Sequence, residues 1–301
     1  MSVAFIVLAH DEPETLSELL AALHPYEAFV HIDKSATRND YKTQLHLQES
    51  AHVVFNPSPV CVHWGGYSVL RAMMETLALV TDRPPNLRPN YAAFLSGRCF
   101  PLRTVSEFVT HLLDSQQVHC RAFDLASRDD PFMGLGRVTR RHWLDGPVGH
   151  LRSVAPRPVG GSLRRALMTL TRRPEVELPA LLHACGSQWT AFPIELALEL
   201  VAHYRSGGFD YLKNSFVPDE VAVPSYVYNT RWEGRTRFGG VEPPVGRTVA
   251  AFANFHWLRD SLQGTVTLDD LDDARTSGAY FVRKVSMITH PEVISAIEST
   301  W

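Results

Sequence analysis

Two pairs of adjacent ionisable residues have the types and spacing to do chemistry. Pro218-Asp219-Glu220 sets two carboxylates just past a proline, where a helix is expected to open. Such a pair either caps the helix, whose first N–H groups favour negative charge, or supplies a general base that takes a proton from an attacking hydroxyl. Phe281-Val282-Arg283-Lys284 sets two cations after an apolar pair; these face solvent or grip an anion with several oxygens, such as a diphosphate. Trp64-Gly65-Gly66-Tyr67-Ser68 leads into a helix. Its glycines let backbone approach a ligand, and the helix start offers N–H groups to a phosphate; a tight loop-to-helix junction is the plainer reading. Gly186-Ser187-Gln188-Trp189 places an indole beside an amide, either for the face and hydroxyls of a sugar or as a core tryptophan with its turn. Leu95-Ser96-Gly97-Arg98-Cys99-Phe100-Pro101 is a strand followed by a polar loop.

These residues need elements to carry them. The apolar run Val3–Ala9 reads as a buried strand, followed by turn and capping chemistry at Asp11 to Thr15 and an amphipathic helix over 16–23. Residues 28–32, 53–55 and 91–95 read as further strands, and 67–80 and 105–113 as helices. Later come a strand near 188–192, a helix over 194–204 and the helix opened by Pro218. Strands alternating with helices predict an α/β fold with parallel pairs and helices on both faces. Ligands of such sheets sit beyond the carboxyl ends of the strands, which is where Asp33 and the loop from Ser96 to Pro101 fall.

Composition narrows the classes. The chain has 301 residues, 45% of them hydrophobic, enough for a large core. A formal charge of −3 gives no general pull toward nucleic acid. Residues 137–173 hold nine arginines, and this basic run, inside an irregular stretch at 126–179, suits either a solvated insertion or an anionic acceptor or membrane surface. The four cysteines are scattered without a zinc spacing or a disulfide framework. No apolar stretch reaches the length of a membrane span, and no leader is visible before Val3, so a cytoplasmic location is expected. Phosphate-loop, GxGxxG, HExxH and GxSxG patterns are missing. Asp270-Leu271-Asp272, the one Asp-x-Asp, follows Thr267 and reads as the acidic start of a helix, so no metal ligands are assigned.

In this order and spacing, Trp64 to Ser68, Leu95-Ser96-Gly97 with Pro101, Gly186 to Trp189, Pro218-Asp219-Glu220 and Phe281 to Lys284 resemble the core-2/I-branching β-1,6-N-acetylglucosaminyltransferase and peptide O-xylosyltransferase family, over almost the whole chain. The resemblance implies a single GT-A domain over 1–301, a mixed central sheet flanked by helices, with 250–301 wrapping round to complete the donor site. It implies an inverting, metal-independent enzyme without a cofactor, which moves N-acetylglucosamine or xylose from a UDP-sugar to a glycan, glycolipid or secondary-metabolite acceptor. Glu220 matches the family's base. His10, Asp33, Trp64, Gly65, Gly66, Ser96, Arg283 and Lys284 match the donor site; Ser187, Gln188, Trp189 and Trp257 the acceptor site, with Phe255 beside Trp257. Single displacement needs just one carboxylate at the incoming hydroxyl, and without a metal the departing diphosphate needs fixed cations. The chain departs from the family at Pro224, which follows Glu220 closely, and lacks the disulfides and anchor of animal members, as a bacterial-type enzyme would. A non-catalytic sugar- or nucleotide-binding protein of this fold is the alternative. Nucleotidyl transfer would need a metal-binding carboxylate pair and a glycine-rich phosphate loop, and neither is found.

Overall fold

The computed structural model describes residues 2–36, 52–130, 132–142, 144–145, 178–246, 248–259 and 264–301. Of the basic insertion expected at 126–179, residues 146–177 therefore lie outside the described residues.

The chain opens with β1 (Val3–Ala9), α1 (Pro13–Leu23), β2 (Glu27–Ile32), β3 (Val53–Phe55), α2 (Tyr67–Thr81) and β4 (Tyr91–Ser96). β3, β2, β1 and β4 lie side by side in that order and all parallel, with Val7 opposite Val30 on one side and Leu95 on the other. A later strand, β8 (Ala191–Pro193), closes the edge antiparallel to β4, which makes the sheet mixed. Both faces are apolar because both are covered. Ala4, Ile6, Phe29 and Phe94 point into a core with Leu70, Met73, Met74 and Leu77 of α2. Their neighbours Phe5, Val7, Val30 and Leu95 point the other way, toward Leu16, Leu19 and Leu23 of α1.

After β4 the chain turns through Gly97 into β5 (Cys99–Pro101) and α3 (Val105–Ser115). β6 (Ala122–Asp124) and the short α4 (Gly136–Thr139) follow, then β7 (Ala184–Gly186), which pairs antiparallel with β6. The strand expected at 188–192 is thus split in two. Thr190 N–H donates to the Gln188 carbonyl at 3.0 Å, so Ser187 to Thr190 form a turn between β7 and β8. Beyond β8 come α5 (Ile194–Arg205) and α6 (Asp219–Tyr228).

The last part of the chain returns to the site. β9 (His256–Leu258), α7 (Leu271–Thr276), β10 (Phe281–Arg283) and α8 (Pro291–Glu298) complete it, and β10 lies between β5 and β9. Arg283 stands opposite Cys99, so the end of β10 is laid beside the turn that follows β4.

Pro224, the point where the chain departs from the family, sits in the interior of α6. It has no N–H to give the Glu220 carbonyl. The first turn is held from the other side: Val221 and Ala222 N–H both donate to the Pro218 carbonyl, at 3.1 and 2.9 Å.

Candidate active site

Four segments meet past the carboxyl ends of β1 and β4: residues 11–12, the turn 96–98, the exit of β10, and the Trp189 turn. Arg283 Nε donates to Ser96 Oγ at 3.0 Å, and its guanidinium lies 4.9 Å from the centre of the Trp189 ring. Burial and the neighbouring Arg98 work against its charge; Cys99, Asp11 and Glu220 support it. Lys284 is pushed below the usual lysine range by burial, then by Arg283 and Arg98. Three cations held this close, in a partly desolvated place, form a site that an anion would relieve.

Arg98 is the member that residue patterns did not single out. Its Nε donates to the Val285 carbonyl at 2.6 Å, and Val285 N–H donates back to the Arg98 carbonyl at 3.0 Å, so the segment after Lys284 is pinned to the β4–β5 turn. Its Nη1 meets Asp11 at 3.1 Å and Glu12 at 2.8 Å. Gly97, beside it, is required by space: a Cβ there would come within 2.9 Å of that of Ala9.

Glu220 stands on the first turn of α6 with its side chain 16% exposed, and its Oε2 accepts from Arg137 Nη2. Burial raises its pKa, while Arg137 and the more distant Arg283 lower it. Arg137 is itself buried, with Nε donating to the Phe216 carbonyl at 2.8 Å and Nη1 lying 2.8 Å from Cys185 Sγ. No local pattern marks this role, since Arg137 reads as one of a run of arginines. Asp219 is buried, its Oδ1 has no hydrogen-bond partner among the described residues, and burial next to Glu220 pushes its pKa up to about 8.

Asp33 is buried at the end of β2. Its Oδ1 accepts from Ser35 N–H and Oγ–H, both at 2.8 Å, and from Val62 N–H at 3.3 Å. The carboxylate therefore orders the strand that leads to Trp64. His10 is exposed, 3.7 Å from Asp11. Trp64 is 59% exposed and meets Phe216 edge-on at 5.9 Å. Gly65 takes a φ of +79° and its carbonyl accepts from Val217 N–H at 2.8 Å, which ties this loop to the approach to α6.

Two expectations are corrected. The start of α2 is not open to a ligand's phosphate as the Trp64 loop suggested: Asp145 takes Ser68 N–H at 3.2 Å and Ser68 Oγ–H at 2.5 Å, and a Cβ on Gly66 would lie 2.2 Å from Asp145 Oδ1. A protein carboxylate already satisfies the N-terminal amides and their positive potential. Nor does Trp257 join Trp189. Successive residues of a strand point to opposite faces, and it is His256 whose ring lies 6.2 Å from Trp189 and whose Nε2 lies 3.2 Å from Cys99 Sγ. Trp257 packs with Phe100 and Val282 on the other face, and Phe255 is buried in the core against Phe108. Of the remaining acceptor-site residues, Ser187 is buried and takes Trp189 N–H at 3.3 Å, and Gln188 Oε1 is buried without a partner among the described residues.

Asp270 caps the turn before α7, accepting from Thr267 N–H at 2.8 Å and Oγ1–H at 3.0 Å. Among the described residues no group of three or more His, Cys, Asp or Glu side chains is placed to hold a metal ion, and no helix is long and apolar enough to cross a membrane. Residues 3–141 match the model of a protein family described as Core-2/I-Branching enzyme. No curated protein matches the chain.

Proposed function

From the match of residues 3–141 to the Core-2/I-Branching enzyme family, a family of glycosyltransferases, we propose that this chain is an inverting, metal-independent transferase of the GT-A fold. It moves N-acetylglucosamine or xylose from a UDP-sugar to a hydroxyl of a glycan, glycolipid or secondary metabolite. The observation that carries the reading is a largely buried carboxylate, Glu220, held by Arg137 and near enough to Arg283 to feel its charge, with Arg98 and Lys284 completing the cations around Arg283.

In the reaction the acceptor oxygen attacks the anomeric carbon, the bond from that carbon to the diphosphate oxygen breaks, and the acceptor proton passes to Glu220. Burial makes Glu220 a stronger base than a carboxylate in water, and Arg137 holds it ionised and oriented. Charge builds on the departing diphosphate, and Arg283 and Lys284 are the cations to receive it. Asp33 and the Trp64 loop bound the nucleotide side, with His10 at its rim. Ser187, Gln188 and Trp189 bound the acceptor side.

Replacing Glu220 by Gln tests this. UDP affinity should persist while turnover falls by about 10²- to 10⁴-fold, the usual worth of a general base. Near-wild-type turnover of the variant, measured by UDP release across a sugar-nucleotide panel, would remove Glu220 from the mechanism.

A further inference from the structure

A cavity of about 650 Å³ borders the cation cluster through His256 and Leu258 of β9, the neighbours of Trp189 and Arg283. Its far end runs away from that cluster along two elements. Ala279 and Tyr280 line the cavity just before β10 begins, whereas Arg283 and Lys284 stand where that strand ends. Tyr228, the last residue of α6, is on the cavity wall, and Glu220 is in the first turn of that helix, roughly 12 Å away at 1.5 Å of rise per residue.

The lining is one-sided in charge. It contains His111, His119, His256, Arg121 and Arg237 and, among the described residues, no Asp or Glu; burial, then Arg283, holds His256 neutral. Arg121 is already neutralised by a two-pronged pair with Glu242, at 2.8 and 2.7 Å. His119 is held neutral by burial, then by His111 and Arg237, its pKa lowered to about 4; burial also lowers His111, against the pull of Asp114. That leaves Arg237, which forms no ion pair among the described residues and rests 5.3 Å from the centre of the Phe238 ring. Phe238 is 55% exposed, and Arg121 also approaches its ring, at 6.0 Å. An unmatched guanidinium beside an exposed aromatic ring, at the mouth of a cavity of this volume, is suited to a ring with one apolar side and an acidic substituent.

We propose that this cavity is a second saccharide site, specific for an acidic sugar, in which Phe238 carries the ring and Arg237 takes the carboxylate or phosphate. The site uses neither Glu220 nor the donor cations, so it goes beyond the transferase reading and stands or falls apart from it. It would hold an acidic part of a longer saccharide at a distance from the reacting hydroxyl.

The test is calorimetric titration of the full chain with a glucuronate-containing disaccharide, its uncharged counterpart, a phosphorylated disaccharide and inorganic phosphate, with UDP present to occupy the donor site. At least one acidic disaccharide should bind about tenfold tighter than the neutral one and than phosphate alone, and which of the two acids it is identifies the substituent. Arg237→Gln and Phe238→Ala should each weaken that binding by about tenfold, or 1.4 kcal/mol, with Glu220→Gln leaving it unchanged. Both side chains are exposed, so the variants should melt like the parent. Equal binding of neutral and acidic disaccharides, no binding of either acid, equal binding of phosphate alone, or indifference to both substitutions would overturn the proposal.

Discussion

At Glu220 two influences oppose each other. Burial favours the protonated acid, and Arg137 favours the carboxylate. Replacing Arg137 by Met removes only the second, so the base should hold its proton to higher pH. The acidic limb of the turnover–pH profile should then move upward, and Arg137→Lys should bring it part of the way back. An unmoved limb with lower turnover would mean that Arg137 serves packing alone. Asp219 offers a separate reading through stability. Its pKa in the folded protein is about 8, against about 4 in an unfolded chain. Between those values the folded state keeps a proton that the unfolded state has released. The contribution of Asp219 is therefore full below about pH 4 and is lost as pH climbs through about 8. Asn cannot ionise, so the Tm of Asp219→Asn relative to the parent should rise steadily across that window. A gap that does not change with pH would show that Asp219 titrates normally.

Among the elements, α2 depends on a residue far from it in sequence. Asp145 caps its first turn through Ser68, 77 positions away. Asp145→Ala should destabilise the protein by about 1 kcal/mol in denaturant melts, with Asp145→Asn costing less; equal stability of all three proteins would deny the cap its weight. This distance also explains what the sequence made legible. β1, β2, β4 and α2 are written in local periodicity, since each buries its own apolar pattern, and the expected spans differ from the observed ones by one residue at most. The Thr267–Asp270 cap was legible for the same reason. Asp145 at Ser68 and Arg137 at Glu220 are tertiary meetings with no local signature. Trp257 shows a finer limit. A strand alternates faces, so a motif aligned loosely by one position assigns the wrong side, and the residue facing Trp189 is His256.

Across the whole molecule, the proposed donor site is assembled from segments that no single element could hold together. Asp33 follows β2, Ser96 and Arg98 flank the β4–β5 turn, and Arg283 and Lys284 stand at and just past the end of β10, near the other end of the chain. A ligand that bridges them joins the first third of the sequence to the last, and should resist unfolding as one body. A ligand bound only by the folded state adds RT ln(1 + [L]/Kd), about 2.7 kcal/mol at one hundred times Kd. UDP should therefore raise Tm measurably, and more than cytidine or guanosine diphosphate if Asp33 reads the base. Lys284→Ala and Arg98→Ala should both shrink the shift, by different routes: Lys284 loses a charge at the diphosphate, and Arg98 also loses its hold on Val285. Glu220→Gln should leave it intact. The same titration in excess EDTA separates fixed cations from a bound metal. If Arg283, Lys284 and Arg98 carry the diphosphate, chelation leaves the UDP shift unchanged and added manganese does not enlarge it. A shift that vanishes with EDTA and returns with manganese would assign the charge to an ion and take the metal-free mechanism away.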